Sequence, residues 1–211
     1  MKKSRLKIKR FVVGSLQTNC YFLYDDISNN LLIIDPGDDS DFLHQKIKDL
    51  NLKPQAIIAT HGHFDHLLAA SELKYAYKIP FLMNAKDAFL LKRYKENKRL
   101  LPLIINKDLG HEKSLHFFGH ELKVIKTPGH TPGSIALYLK ENRALFVGDL
   151  CFEGGFLGRY DFNYSSKKIL LKSLKKVLKF DANLIVYPGH GEKTNLMSLK
   201  NSLKLLLVAF F

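Results

Sequence analysis

The sequence predicts an α/β (α+β) fold in which two sheets pack together with helices on the outside. Three observations predict it. Short apolar segments of strand length fall in two groups, one ending at Met83 and one running from Leu122 to Tyr187, and helix-period segments follow each group. No linker or low-complexity stretch divides the 211 residues, so they read as one domain, 1–211. A hydrophobic content of 46% with 25% charged residues is ordinary for a packed domain and excludes a largely disordered chain, a collagen-like fibre or a coiled coil.

In the first group, Leu6 and Ile8 alternate with Lys7 and Lys9 and lead through Phe11-Val12-Val13 to Gly14, the pattern of a strand. Cys20–Tyr24 and Leu31–Ile34 are the next strands, joined by the polar turn Asp25–Asn30. Asp35-Pro36-Gly37 stops the third strand, and Ser40 is placed to cap a helix reaching about Leu50. Ala56–Ala59 reads as a short buried strand, His66–Tyr77 as a helix, Pro80–Met83 as a strand and Lys86–Tyr94 as a helix. Asn97–Glu121 is the least periodic part. In the second group, Leu122–Lys126, Ser134–Leu139 and Ala144–Val147 read as strands. Ser165–Leu178 is an amphipathic helix with Ile169, Leu170, Leu174, Val177 and Leu178 on one face and lysines on the other. Leu184–Tyr187 is the last strand and Asn195–Val208 the last helix.

The charge balance is 33 Lys+Arg against 20 Asp+Glu, a net +13. Of the cations 27 are Lys and only 6 are Arg. Bidentate phosphate recognition favours the Arg fork, so a Lys-dominated excess spread along the chain reads as solvated surface, and no nucleic-acid partner is expected. Two cysteines, Cys20 and Cys151, supply neither a disulfide framework nor a four-ligand structural zinc site. The basic start MKKSRLKIKRF has no apolar run after it, and no segment reaches the roughly 18 apolar residues of a membrane span. The expectation is a cytoplasmic protein with no membrane partner.

The chemistry concentrates in Thr60-His61-Gly62-His63-Phe64-Asp65-His66, just past a predicted buried strand, where three imidazoles and a carboxylate fall within six residues. Open sheets place ligands at strand ends. Imidazole nitrogen and carboxylate oxygen suit zinc, iron or manganese. In an extended loop His61 and His63 point the same way, while Asp65 and His66 sit at a helix start and aim at a neighbouring point. That arrangement suits two adjacent metals better than one. Further ligands follow later strands: His130 in Thr127-Pro128-Gly129-His130-Thr131-Pro132-Gly133-Ser134, Asp149 in Gly148-Asp149, and His190 in Pro188-Gly189-His190-Gly191. Five of nine histidines lie in these motifs, whereas His44, His111, His116 and His120 read as surface or structural. Asp35 either ends its strand or orients a ligand histidine from behind.

His-x-His-x-Asp-His followed by a lone His, a lone Asp and a last His resembles the metallo-β-lactamase superfamily, over a span from about Phe11 to His190. The resemblance implies an αβ/βα four-layer sandwich of two facing mixed sheets with the metals at one edge. It also implies that His61, His63 and His130 hold a first metal, that Asp65, His66 and His190 hold a second, and that Asp149 bridges them. Two divalent ions per chain are expected, zinc first, with iron or manganese as alternatives.

Leu16-Gln17-Thr18-Asn19-Cys20-Tyr21, Gly148-Asp149-Leu150-Cys151-Phe152 and Gly158-Arg159-Tyr160-Asp161-Phe162 look like the glyoxalase II (hydroxyacylglutathione hydrolase) group. Only 21 residues follow His190, so the likeness is to its short members, without the helical region that helps hold glutathione. This implies hydrolysis of a small, anionic thioester such as S-lactoylglutathione by a hydroxide shared between the metals, with Asp65 assisting its orientation. Arg159 is a candidate for a substrate carboxylate, or else a structural partner of Asp161, and Tyr160 is a weaker candidate beside it. Two alternatives accompany this reading. One is a persulfide dioxygenase using a single iron on His61, His130 and Asp149. The other, prompted by charge, is a nucleic-acid-binding protein or metallo-nuclease.

Overall fold

In the computed structural model, residues 5–92 and 101–209 are described, the last five of them by backbone alone. Two six-stranded sheets face each other. The first has the order β1 (Leu6–Val13), β2 (Thr18–Asp25), β3 (Asn30–Ile34), β4 (Lys53–Ile58), β5 (Phe81–Met83) and β6 (Lys107–Asp108). Strands β1 to β3 are antiparallel and β3 to β6 parallel. The second sheet has the order β12-β11-β10-β9-β8-β7, built from β7 (Ser114–Phe117), β8 (His120–Lys126), β9 (Ile135–Leu139), β10 (Ala144–Gly148), β11 (Ile185–Pro188) and β12 (Thr194–Asn195). Only the β10–β11 pair is parallel in it. Helices α1 (Ser40–Asp49) and α2 (Ala70–Tyr77) serve the first sheet, and α3 (Lys167–Val177) and α4 (Leu196–Ala209) the second.

The period-2 geometry of the strands sorts their side chains into three apolar layers. Cys20, Phe22, Leu31, Ile33 and Ile57 face Leu43, Ile47 and Leu73 of the first helical layer. Tyr21, Leu23, Leu32, Ile34 and Ile58 face Leu122, Val124, Leu137 and Phe146 between the sheets. Ile125, Ala136, Leu145 and Val147 face Leu170, Leu174, Val177, Leu199 and Leu203 on the far side. Strands covered on both faces read as unbroken apolar runs, which is why Leu31–Ile34 lacks alternation. Among the described residues no helix is long and apolar enough to cross a membrane.

Several local expectations change. The helix expected from His66 is a 3-10 turn, Phe64–His66, with α2 starting only at Ala70. The helix expected over Lys86–Tyr94 opens as another 3-10 turn, Ala85–Asp87, and α-helix appears only at 91–92; residues 93–100, including Tyr94, lie outside the described residues. The cause is local: Asn84 Oδ1 accepts the Lys86 N–H, and the buried Asp87 carboxylate turns inward to bind three donors. The N-cap of α1 is Asp39 rather than Ser40, with φ of 51°, and its Oδ2 accepts the Gly14 N–H at 2.8 Å. The aperiodic middle contributes the edge strands β6 and β7; their short length and exposed polar side chains hide the strand pattern.

Candidate metal centre

The ends of β3, β4, β10 and β11 meet at one edge of the sandwich. Two backbone bonds tie the sheets together there: Ile135 N–H donates to Thr60 C=O at 2.9 Å and Asn19 N–H to Gly189 C=O at 2.7 Å. Chain reversals at the rim are tight. Gly148 has φ of 51°, and a Cβ there would stand 2.5 Å from Thr60 Oγ1.

The turn after β4 brings His61 Nε2 to 3.1 Å from His63 Nδ1, and the β8–β9 loop brings His130 Nε2 to 2.9 Å from that same nitrogen. Across the site, His66 Nε2 is 3.3 Å from His190 Nε2, and Asp65 Oδ2 is 3.3 Å from His190 Nε2. Asp149 lies between the two groups. Its Oδ2 is 3.6 Å from both His130 Nε2 and His190 Nε2, and its Oδ1 is 3.5 Å from His66 Nε2. The donor atoms form three sets able to hold an ion: His61/His63/His130, His61/His66/Asp149 and Asp65/His66/His190. The structure therefore brings all seven sequence-predicted ligands together; among the described residues His44, His111, His116 and His120 join none of these sets.

The residues fit divalent metal on two counts. Ligands about 2.1 Å from a tetrahedral ion lie about 3.4 Å from one another, the spacing seen here. Asp149 Oδ1 is buried without a hydrogen-bond partner, at a point where a Cβ on Gly189 would collide with it. A buried carboxylate oxygen left bare costs free energy unless a cation meets it.

Each imidazole is held from behind through its other nitrogen. His61 Nδ1 lies 3.1 Å from Thr60 Oγ1, whose proton goes to Asp35 Oδ2 at 2.7 Å. His66 Nδ1 is 3.1 Å from Asp35 Oδ2, His130 Nδ1 is 2.7 Å from Arg159 C=O, and His190 Nδ1 is 3.0 Å from Leu16 C=O. His63 Nε2 is 2.9 Å from the Tyr164 hydroxyl. Such partners select the tautomer that turns the remaining nitrogen inward.

Electrostatically the two halves differ. Burial, reinforced by neighbouring histidines, pushes His61 well below the usual imidazole range and His63 down to about 3. On His66 burial also opposes charge, but Asp149, Asp35 and Asp65 override it and lift its pKa to about 9. His190 is raised too, its burial outweighed by Asp65 and Asp149. Asp65 is lowered despite burial, by His190 and His66. His61 and His63 are thus held neutral, whereas Asp65, His66 and His190 form a carboxylate-rich cradle for positive charge.

The candidate substrate residues lie on the segment after Asp149. The Arg159 guanidinium is 67% exposed, pairs with Asp161 at 2.9 Å and stacks over Phe162 at 4.3 Å. Tyr160 is exposed, with Lys167 Nζ over its ring at 5.2 Å. The sequence motifs include Phe162, Thr60 and Leu16 without giving them a role and omit Tyr164 and Asp87; the Phe162 and Tyr164 rings stack at 5.2 Å and flank His63. Its place two positions after Phe162, in Phe162-Asn163-Tyr164, is the only local signal for Tyr164.

The profile of the metallo-beta-lactamase superfamily matches residues 13–190, and the chain belongs to that superfamily. Among individual relatives, the hydroxyacylglutathione hydrolase GloC of Haemophilus influenzae is 32% identical over 206 residues, covering 93% of this chain and 96% of that protein. The crystal structure of BLEG-1, a B3 metallo-β-lactamase, superposes with a TM-score of 0.84 at 32% identity, covering 92% of this chain and 97% of the other. That of TTHA1623 in a di-iron-bound form gives 0.80 at 32% identity, covering 92% and 96%.

Proposed function

We propose that this chain is a dinuclear metal-dependent hydrolase of small anionic thioesters such as S-lactoylglutathione. The observation that carries the reading is the position of the Asp149 carboxylate between two complete ligand groups. His61, His63 and His130 would hold one ion, Asp65, His66 and His190 the other, and Asp149 would touch both. The likeness to GloC supports the thioester and the likeness to TTHA1623, solved in a di-iron-bound form, supports two ions, while the His/Asp donor set itself suits zinc as well as iron. When bound, the ions supply Lewis acidity toward the thioester carbonyl and lower the pKa of the attacking water.

The chain's own groups do the rest. Asp65 Oδ2, which accepts the Thr18 hydroxyl at 3.3 Å, orients the water. Phe162 and Tyr164 wall the His63 side against bulk solvent. Arg159 and Tyr160 stand on the segment that leaves the site and receive a substrate carboxylate. In the overall reaction the water oxygen bonds to the carbonyl carbon, the C–S bond breaks and the thiol leaves with a proton.

The test is metal analysis with thioester-hydrolysis and oxygen-uptake assays on one preparation. Two ions per chain, with hydrolysis abolished by Asp149→Ala and depressed by Asp65→Asn, is the expected result. Oxygen uptake with glutathione persulfide and one iron per chain would replace the reading with a dioxygenase. Hydrolysis at full rate in both variants would remove the mechanism.

A further inference from the structure

Asp87 is a fully buried carboxylate outside the seven ligands, and three donors converge on it. Its Oδ2 accepts the Gly62 N–H at 2.9 Å and the Thr131 hydroxyl at 2.6 Å; its Oδ1 accepts the Gly133 N–H at 2.6 Å. Gly62 sits between His61 and His63, and Thr131 follows His130. The two loops that supply the first ligand group come from different sheets, and this one side chain bonds to both. The contact is close on both sides: a Cβ on Gly62 would stand 2.8 Å from Asp87 Cβ, and one on Gly133 would stand 2.6 Å from its carboxyl carbon. No equivalent bond runs from Asp87 to Asp65, His66 or His190.

We propose that Asp87 is a positioning residue that sets the distance between the His61/His63 loop and the His130 loop, and so controls metal affinity at that group and not at the Asp65/His66/His190 group. The inference rests on the two-metal reading above. It follows from the acceptor count. Asp87 supplies acceptors on both oxygens, and an amide at this position turns an N–H toward one of the two backbone donors, Gly62 or Gly133, so at least one of the three bonds that join the loops is lost and the link between them is loosened.

The experiment is Co2+ titration of the metal-free protein, followed by visible absorption. The part of the spectrum that His63→Ala removes reports the first group, and the part that His190→Ala removes reports the second. In Asp87→Asn the first signal is expected to form with affinity weakened about tenfold or more, while the second keeps its native affinity. A merely structural role would weaken both signals alike, and that result, or no change in either, overturns the proposal. If circular dichroism shows Asp87→Asn unfolded, Thr131→Val is read by the same criteria, because it deletes one of the three donors and conserves volume. A native chain whose Co2+ spectrum is indifferent to His63→Ala overturns the metal reading itself, an outcome distinct from failure of the Asp87 variant alone.

Discussion

Asp35 Oδ2 lies 3.1 Å from His66 Nδ1, with both side chains buried and the same carboxylate accepting the Thr60 N–H and hydroxyl, each at 2.7 Å. The residue that ends β3 thus orients two imidazoles, His66 directly and His61 through Thr60. Asp35→Asn is expected to weaken metal binding by about 10- to 100-fold, measured by competition with a chromophoric chelator. Asp35→Ala, which leaves both Thr60 donors without their acceptor, should also cost about 3 kcal/mol in urea unfolding of the metal-free chain. Native affinity in both variants would refute this role.

Tyr164 reaches His63 Nε2 through its hydroxyl at 2.9 Å, and its ring stacks on Phe162. Tyr164→Phe keeps the stack and removes the hydroxyl. Metal affinity is expected to fall about tenfold, with the unfolding free energy changed by no more than about 1.5 kcal/mol. Equal losses in both measurements would make Tyr164 a packing residue only.

Arg159 pairs with Asp161 at the exposed rim. Salt screens such pairs, so the guanidinium is accessible to an anionic substrate. Arg159→Ala should raise KM several-fold for a thioester carrying a carboxylate, leave kcat near native, and spare an uncharged thioester. An equal effect on both substrates would assign Arg159 to the loop rather than to the ligand.

Cys151 is fully buried, and burial pushes its thiol up to about 12; Cys20, also buried, is raised by burial and by Asp35. Between about pH 7 and 10 neither thiol should react with iodoacetamide in the folded protein, and both should react once urea unfolds it. The linkage has a definite sign. The folded pKa lies above the unfolded value of 9.0, so the contribution is complete below pH 9 and is lost as pH rises toward about 12. Stability should therefore fall on the alkaline side, measured as the urea midpoint against pH.

Much of the fold and the ligand set is legible in the sequence because their signals are local. Leu31–Ile34 and Leu184–Tyr187 are apolar runs that must be buried on both faces. His61, Asp149 and His190 each follow an apolar run, and His130 follows the alternating strand β8, all beside Gly or Pro, so residue type and place in the strand order already suggest a donor at a sheet rim. The weak strands β6, β7 and β12 are short edge elements; β6 and β12 have two residues each and carry no periodicity, and the four residues of β7 are too few to stand out.

Local residue patterns are enough to specify the sandwich layers and the order of the seven candidate donors along the chain. How those donors are held depends on contacts that form only when the sheets pack. Tyr164 lies 101 residues from His63, and Asp87 lies 46 residues from Gly133, so no spacing rule connects them. The Leu16 and Arg159 carbonyls that hold His190 and His130 belong to the backbone, which every residue carries. A metal ligand is recognisable from its side-chain chemistry, whereas its support depends on which distant surfaces the packed sheets bring within hydrogen-bond reach.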